Sequence, residues 1–412
     1  IKAMQEHQKY FPVVNEDGGL LPHFITISNI ESRDPEQVRS GNERVIRPRF
    51  SDAAFFWEQD LKQPLDKHIE ALKGVVFQKK LGTLFEKSQR IARLSGLIAQ
   101  ELGLDPALAK RAAELSKCDL LSNMVGEFPA LQGTMGRYYA EKGGEVPDVA
   151  AAMEEQYLPR HAGDRLPETY CGRAIAIADR LDTLVGIFAI GQKPTGEKDP
   201  FGLRRAALGV LRIMIETPLQ LDLEVLLQAA ADGLSDQVPA QEAVTDVLDY
   251  MMERLRAYYA DRDIPVNVID AVLARRPTRP ADFDLRVRAV AAFQNLPEAE
   301  SLAAANKRIR NILRKAEDEY PATPDITLLQ EQSEKALAAQ VAELTPDVEP
   351  LFEQGQYTEA LQRLACLRAA VDTFFDDVMV MCDDDLLRKN RLALLSSLSA
   401  LFLQVADISR LQ

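Results

Sequence analysis

The pattern of residues 374–409 constrains the fold of this chain most, because it is a long, nearly unbroken helical pattern near the C-terminus. A second helical pattern, residues 303–313, is rich in arginine. The 60 residues between them contain positions that interrupt helices, namely Pro321, Pro324, Pro346, Pro350 and Gly355. The two patterns therefore predict separate helices of a helical C-terminal domain.

Strands are predicted only near the start of the chain. Residues 9–14 and 24–30 are rich in aromatic and β-branched side chains, and a turn cluster with two glycines, residues 15–19, separates them. This arrangement predicts a hairpin. We expect Ser51 or Asp52 to cap a helix that starts at Ala53. Residues 65–215 have a helical pattern that is interrupted by loops, of which residues 191–200 are the clearest. From about residue 220 the pattern is again helical, with breaks at residues 275–280 and 320–325.

The size and composition of the chain indicate a globular protein. Its 412 residues suffice for two to four domains, and 46% of them are apolar. Because the sequence starts at Ile1 rather than at a methionine, we expect a fragment of a longer protein, and no signal peptide is apparent. The apolar run at residues 392–406 is too short to span a bilayer. The four cysteines form no CxxC or CxxH pair, so we expect no zinc site and reduced thiols in a cytoplasmic protein.

The charges are unevenly distributed. The net charge is -14, which argues against general affinity for nucleic acid. Residues 275–315 nevertheless contain ten Lys or Arg against four Asp or Glu, whereas residues 316–360 contain eleven acids and one base. Residues 39–93 have twelve bases and seven acids. Such local basic faces suit a protein that holds a polyanion at defined places. The alternative is that they are ordinary solvated helix faces.

Four residues form a pattern that resembles the metal site of HD phosphohydrolases. That family binds a divalent ion through a His, a His-Asp pair and a later Asp, and the ion activates water. Here Lys87 takes the first His position, Cys118 replaces His before Asp119, and Asp182 takes the final Asp position. A lysine ammonium has no lone pair for a metal. The resemblance therefore implies an HD-like helical domain without a metal, in which Asp119 and Asp182 cap helices or pair with a base.

An intact metal site would instead indicate an HD-type metal-dependent phosphohydrolase, the alternative function for this chain. The histidines do not supply such a site by their spacing, since they are scattered along the sequence at His7, His23, His68 and His161.

Asp199 and Pro200 precede an amphipathic helical pattern, so Asp199 is expected to cap that helix and Pro200 to lie in its first turn. This motif and four other stretches resemble the β subunit of bacterial heterotetrameric glycyl-tRNA synthetase. The stretches are KDPFGLRRAA at residues 198–207, residues 174–191, MQEHQKYFP at residues 4–12, GNERV at residues 41–45 and RRPTRP at residues 275–280. The resemblance covers essentially the whole chain.

The resemblance implies an α2β2 glycine–tRNA ligase in which the α subunit carries the aminoacylation site and uses glycine, ATP and Mg. The β subunit is then the partner that binds tRNA(Gly). No glycine-rich phosphate loop occurs in the sequence, so we expect neither a catalytic residue nor a cofactor in this chain. A third interpretation is a structural assembly subunit that makes no contact with tRNA.

The C-terminal helices resemble the helical anticodon-binding domain that several aminoacyl-tRNA synthetases share. Arginine suits phosphates and base edges because its donors are planar. The side chains expected to bind tRNA are Lys307, Arg308, Arg310, Arg314, Lys389 and Arg391. The alternative for Arg391 is that it pairs with an acid among residues 383–385.

The predicted fold class is therefore mainly α. Residues 1–64 form a small α+β segment with the hairpin, residues 65–215 a degenerate HD-like helical domain, residues 216–280 a helical connector, and residues 281–412 a helical-bundle domain like those that bind anticodons.

Overall fold

The computed structural model describes residues 4–5, 8–196, 198–316 and 319–411. Within these ranges the chain is mainly helical, with two small two-stranded sheets, which confirms the predicted fold class. Glu6 and His7, which belong to one of the motifs above, lie outside the described residues.

The N-terminal hairpin is present. Strand β1 (Phe11–Val14) pairs antiparallel with β2 (Leu20–Ile25), and Phe11 lies opposite Ile25. Gly18 in the turn has a φ of 79°, a conformation that favours glycine. The prediction of a hairpin is confirmed, although its second strand begins four residues earlier than residue 24.

Helix α1 (Pro35–Asp60) begins well before the predicted start at Ala53, so that prediction is wrong. Asp34 is the actual N-cap, since its side chain accepts from the Gln37 backbone N–H at 3.1 Å and a proline follows at the first helical position. Ser51 lies inside the helix, where its hydroxyl donates to the Arg47 carbonyl at 3.1 Å.

A short sheet of β3 (Val76–Gln78) and β4 (Gly82–Thr83) precedes the next group of helices. These helices are α2 (Leu84–Glu101), α3 (Pro106–Leu115), α4 (Asn123–Glu127), α5 (Thr134–Lys142), α6 (Pro147–Glu155), α7 (Tyr170–Ala189), α8 (Leu203–Glu216) and α9 (Leu223–Gly233). Helix α2 packs on α3 and α7, and α6 packs on α5 and α7.

Eight further α-helices follow in the described part of the chain. They are α10 (Val244–Ala260), α11 (Val266–Leu273), α12 (Pro280–Gln294), α13 (Ala299–Lys315), α14 (Gln332–Glu353), α15 (Tyr357–Leu364), α16 (Arg368–Asp377) and α17 (Asp385–Leu403), with 3₁₀ turns at Ile326–Leu328 and Ile408–Arg410. The predicted loop is confirmed at the described residues 191–196 and 198–200. In its last part Asp199 accepts from the backbone N–H groups of Leu203 and Arg204, at 2.8 and 3.0 Å, so it caps α8 as predicted. Pro200 lies before the helix rather than in its first turn.

The single long helix expected over residues 374–409 is divided. Helix α16 ends at Asp377, and α17 begins at Asp385 after the N-cap Asp384 accepts from the Leu387 N–H at 3.0 Å. The sequence of acidic residues before Asp385 supplies that cap, so the apparent continuity of the pattern was misleading.

The chain divides into two compact units, residues 1–213 with 226–247 and residues 214–225 with 248–412. In the first unit the core includes the fully buried Ile91, Ile98 and Ile175. In the second unit α12 packs on α15 and α13 on α17, and the rings of Phe293 and Phe402 lie 6.4 Å apart. The division into four domains stays a prediction. Among the described residues, no helix combines the length and the apolar character needed to cross a membrane.

Candidate functional site

Lys87 and Asp182 meet in the interior of the first unit. Lys87 lies in the first turn of α2, whose start is fixed by a capping box between Thr83 and Glu86. Its ammonium donates to the Asp182 carboxylate at 3.0 Å and to the Thr183 hydroxyl at 2.8 Å. The side chains of Lys87 and Asp182 are 4% and 2% exposed, so this is a buried ion pair.

Arg90 also contacts the carboxylate of Asp182. One turn after Lys87 on α2, its guanidinium makes a bidentate contact with that carboxylate, with distances of 2.6 and 3.2 Å. It also donates to the Leu81 carbonyl at 3.2 Å. The expectation that Asp182 pairs with a base is confirmed, and Asp182 pairs with two bases, Lys87 and Arg90. Arg90 was not predicted, although its position three residues after Lys87 was the available signal.

A second carboxylate, Asp179, extends this group of charges. It lies 2.8 Å from the ammonium of Lys87 and 2.8 Å from that of Lys117, and Lys117 also donates to Gln156 at 2.7 Å. Burial works against the ionised form, but Lys117 and Lys87 outweigh it and hold the pKa of Asp179 well below its usual value. We call Lys87, Arg90, Lys117, Asp179 and Asp182 the buried charge cluster.

The pKa of Lys87 is raised in return. Its burial opposes the charged form, yet Asp179 and Asp182 together favour it more strongly. The ammonium therefore stays protonated at neutral pH. A protonated amine between two carboxylates occupies the place where a metal would bring the same carboxylates together.

Asp119 has a different role. Its carboxylate accepts from the Gly133 backbone N–H at 2.6 Å, just before α5, so it lies at the N-terminus of that helix. The N-cap residue of α5 is Gly133, so the expectation that Asp119 caps a helix or pairs with a base stays a prediction. Burial raises the pKa of Asp119, and it raises the pKa of the neighbouring Cys118 thiol to about 12. Cys118 is consequently a neutral thiol at physiological pH.

No group of three or more His, Cys, Asp or Glu that could hold a metal occurs in the part of the chain that the structure describes. The histidines within that part, His23, His68 and His161, take no part in the buried charge cluster. The HD-type phosphohydrolase alternative has no support in this arrangement.

The second region of interest is the face of α13 in the second unit. Lys307, Arg308, Asn311 and Lys315 follow one another at helical spacing and are exposed. Together with Ala304, Ile312 and Met381 they line an open groove of about 580 Å³. We call this the α13 groove.

Among the described residues, no carboxylate lies within salt-bridge distance of Lys307, Arg308 or Lys315. The guanidinium of Arg308 instead lies 4.2 Å from the centroid of the Phe375 ring, a cation–π contact. Asn311, Lys315 and Phe375 were not predicted, although Asn311 and Lys315 follow Lys307 at four and eight residues, which is the signal for a shared helix face.

Arg310 and Arg314 differ from these groove residues. Arg310 points away, forming an ion pair with Asp407 and donating to the Ser409 hydroxyl at 3.3 Å. Arg314 is exposed and donates to the Asn311 side chain at 3.3 Å. The arginines of this helix that were predicted to bind tRNA therefore differ in their partners rather than in their exposure: Arg308 contacts a ring, Arg310 an acid and Arg314 an amide.

Two residues of α17 that were predicted to bind tRNA form ion pairs with acidic side chains. Arg391 is buried, pairs with the fully buried Glu334 and donates to the Met379 carbonyl at 2.8 Å. This corrects the prediction that Arg391 binds tRNA, because its donors are used inside the protein. The alternative of an acidic partner applies, but the partner is Glu334 rather than a residue of 383–385. Lys389 is one-third exposed and lies 2.8 Å from Asp385.

Comparison with known proteins identifies the family to which this chain belongs. The family model described as "Glycyl-tRNA synthetase beta subunit" matches residues 1–274. The chain belongs to this β-subunit family. A second model, described as "DALR anticodon binding domain", matches residues 302–408, which contain the α13 groove and all six residues predicted to bind tRNA.

Curated β subunits of glycine–tRNA ligase align with the whole chain. The relative from Marinobacter nauticus is 57% identical over 412 residues, that from Aeromonas salmonicida 56% over 412, and that from Haemophilus influenzae 55% over 412. The chain spans 59–60% of the length of these relatives.

Proposed function

We propose that this chain is the tRNA-binding portion of the β subunit of a glycine–tRNA ligase. Its C-terminal helices would hold the anticodon arm of tRNA(Gly), so that the acceptor end reaches the active site of a partner α subunit, which uses glycine, ATP and Mg. Such positioning contributes to the rate by holding the reactants in a productive geometry. The observation that carries the proposal is the α13 groove, whose cations pair with no carboxylate of the described residues, within the region that matches an anticodon-binding family.

The charge of the groove supports RNA as the ligand. The whole chain has a net charge of -14, so most of its surface repels a polyanion. Lys307, Arg308 and Lys315 form a local exception. No carboxylate in the part of the chain that the structure describes pairs with them, so contacts with phosphates would break no ion pair there.

The shape and chemistry of the groove support single-stranded loop nucleotides rather than a duplex. Its lining includes the apolar residues Ala304, Ile312 and Met381, and the Arg308 guanidinium lies over the Phe375 ring. Proteins read unpaired RNA by stacking bases on aromatic rings or guanidinium planes and by hydrogen bonds to base edges. The Asn311 amide at the groove supplies both a donor and an acceptor for such an edge.

The test is the binding of tRNA(Gly) to the whole chain and to two groove variants. Lys307→Gln should weaken binding for all tRNA sequences alike and flatten the salt slope by about one unit or less. Arg308→Gln should cost about 1–3 kcal/mol of binding free energy if the guanidinium contacts a base. Both side chains are exposed, so the melting temperature should hardly change.

Arg363→Gln is the matched control. Arg363 is an exposed arginine of the same unit, but it pairs with Glu359 at 2.6 Å and lies outside the α13 groove. Its substitution changes the net charge equally and should leave tRNA affinity nearly unchanged. Equal affinity of all four proteins for tRNA(Gly), or equal affinity of the wild type for tRNA(Gly) and for an anticodon-substituted tRNA, would contradict the proposal.

A further inference from the structure

A second cavity, in the first unit, is not used by the proposed function. It has a volume of about 530 Å³ and lies beside the buried charge cluster. Its walls come from α7, from the residues before and at the start of α8, and from two connecting segments; they include Gln156, Arg160, Asp179, Arg180, Phe201 and Arg205. We call it the α7–α8 cleft. Its size is within the range of about 300–1,000 Å³ that small-ligand sites occupy.

Two of the residues that line the cleft are exposed arginines, Arg160 and Arg205. Within the described part of the chain, neither Arg160 nor Arg205 has a carboxylate within salt-bridge distance. Arg160 lies with its guanidinium 5.8 Å from the Tyr157 ring, and Arg205 is exposed on the first turn of α8. Both therefore retain their donors for a ligand.

Arg180 contributes charge to the cleft without free donors at its two terminal nitrogens. They donate to the carbonyls of Gln156 and Ala176 on one side, at 3.0 and 2.8 Å, and to those of Tyr157 and Pro159 on the other, at 3.1 and 3.2 Å. Burial, and to a lesser degree the nearby charge of Arg205, lower its pKa to about 10. Two cations thus lie close together, and their repulsion would be relieved by an anion between them.

The acid in the wall of the cleft does not cancel this charge. Asp179 is held at 2.8 Å by both Lys87 and Lys117, on the side of the buried charge cluster. In that cluster three cations face two carboxylates, so the charge of Asp179 is already balanced by its own partners.

We propose that the α7–α8 cleft binds a small nucleotide, with its phosphate held by Arg160 and Arg205 and its base against Phe201. Guanidinium groups match phosphate oxygens in a bidentate geometry. Phe201 is 38% exposed at the cleft and offers a ring face, while Pro159 and Ala206 provide apolar surface for a base. The cleft binds the nucleotide without hydrolysing it, because Lys87 separates the carboxylates that a catalytic metal would need.

Isothermal titration of the whole chain with AMP, adenosine and inorganic pyrophosphate tests this inference. AMP and pyrophosphate should bind, and adenosine, which has no phosphate, should not. Arg160→Gln and Arg205→Gln should each weaken AMP binding by about tenfold or more, the effect of losing a hydrogen bond to a charged group. Phe201→Ala should weaken the binding of AMP but not that of pyrophosphate.

Arg165→Gln is the matched control, because Arg165 is exposed, lies five residues from Arg160 and pairs with Glu154 outside the cleft. Its AMP affinity should match that of the wild type. Absence of AMP binding by the wild type at about millimolar concentration, or equal AMP affinity in all variants, would overturn the inference. So would a loss of tRNA binding in the cleft variants without any binding of AMP, which would make the cleft part of an RNA surface. The variants of the α13 groove should leave AMP binding unchanged, so the two proposals fail independently.

Discussion

Substitution of Asp182 by asparagine should destabilise the first unit strongly. Asparagine keeps the shape of the side chain but removes a negative charge that is 2% exposed and is shared by Lys87 and Arg90. Lys87 keeps Asp179 as a partner, at 2.8 Å, whereas Arg90 loses its acid. The result is one additional uncompensated cation in the interior.

The magnitude follows from two independent considerations. Opposite charges about 4 Å apart attract each other by about 4 kcal/mol at an effective dielectric constant of about 20. Measured losses upon removal of one partner from a buried ion pair are about 3–5 kcal/mol. At about 2–4 °C per kcal/mol for a domain of this size, Asp182→Asn should lower the melting temperature by about 6–20 °C.

The appropriate assay combines thermal unfolding with hydrogen exchange, because the chain has two compact units and need not unfold in one transition. Amides of α2 and α7 should lose protection, while those of α12 and α13 should keep it. The double variant Arg90→Met with Asp182→Leu removes one charge of each sign and should recover most of the loss. A change below about 1 kcal/mol for Asp182→Asn, or a loss in the double variant as large as in the single one, would refute the reasoning.

Three other predictions concern stability, pH and thiol chemistry. Glu334→Gln should cost about 3–5 kcal/mol of unfolding free energy in urea denaturation, because it leaves the buried guanidinium of Arg391 without its acid. The pKa of Asp179 is lowered in the folded state, so its ion pairs contribute stability that is fully present above about pH 4, the pKa in the unfolded chain. This stability is lost as the pH falls. The melting temperature of the wild type should therefore fall more steeply below about pH 4 than that of Asp179→Asn. Cys366 is exposed and should be alkylated by iodoacetamide in the native protein. Cys118 is fully buried and has its pKa raised to about 12, so it should react only after unfolding. Mass spectrometry of the two cysteine-containing peptides measures both reactions.

The positions of several elements could be predicted because their signals are local. Asp199 caps α8 through bonds to residues four and five positions away, and the turn of the hairpin contains its own glycines. Element boundaries were less predictable. Asp34 and Ser51 are both good N-cap residues, and only the actual helix shows that Asp34 begins α1 while Ser51 lies within it.

The candidate site was predictable in composition but not in detail. The sequence indicated that the C-terminal helices carry basic residues, and two of the six that were predicted to bind tRNA, Lys307 and Arg308, line the α13 groove. It could not indicate that Phe375 lies under Arg308, because that residue belongs to a different helix, α16. The role of Lys87 was predicted as incompatible with a metal, whereas its partner Asp179 became apparent only from the folded chain.

The sequence by itself determined the helical fold class, the hairpin and the resemblance to a tRNA-ligase β subunit, since these depend on spacing and on motifs within short stretches. The tertiary structure decided which basic side chains are free to bind a ligand. Arg308 and Arg310 are two residues apart and chemically identical, but the partner of Arg310 is Asp407, 97 residues away. Arg391 is likewise neutralised by Glu334, 57 residues away. A charge is available only if no acid is folded against it, and contacts over such distances along the chain are set by the packing of helices.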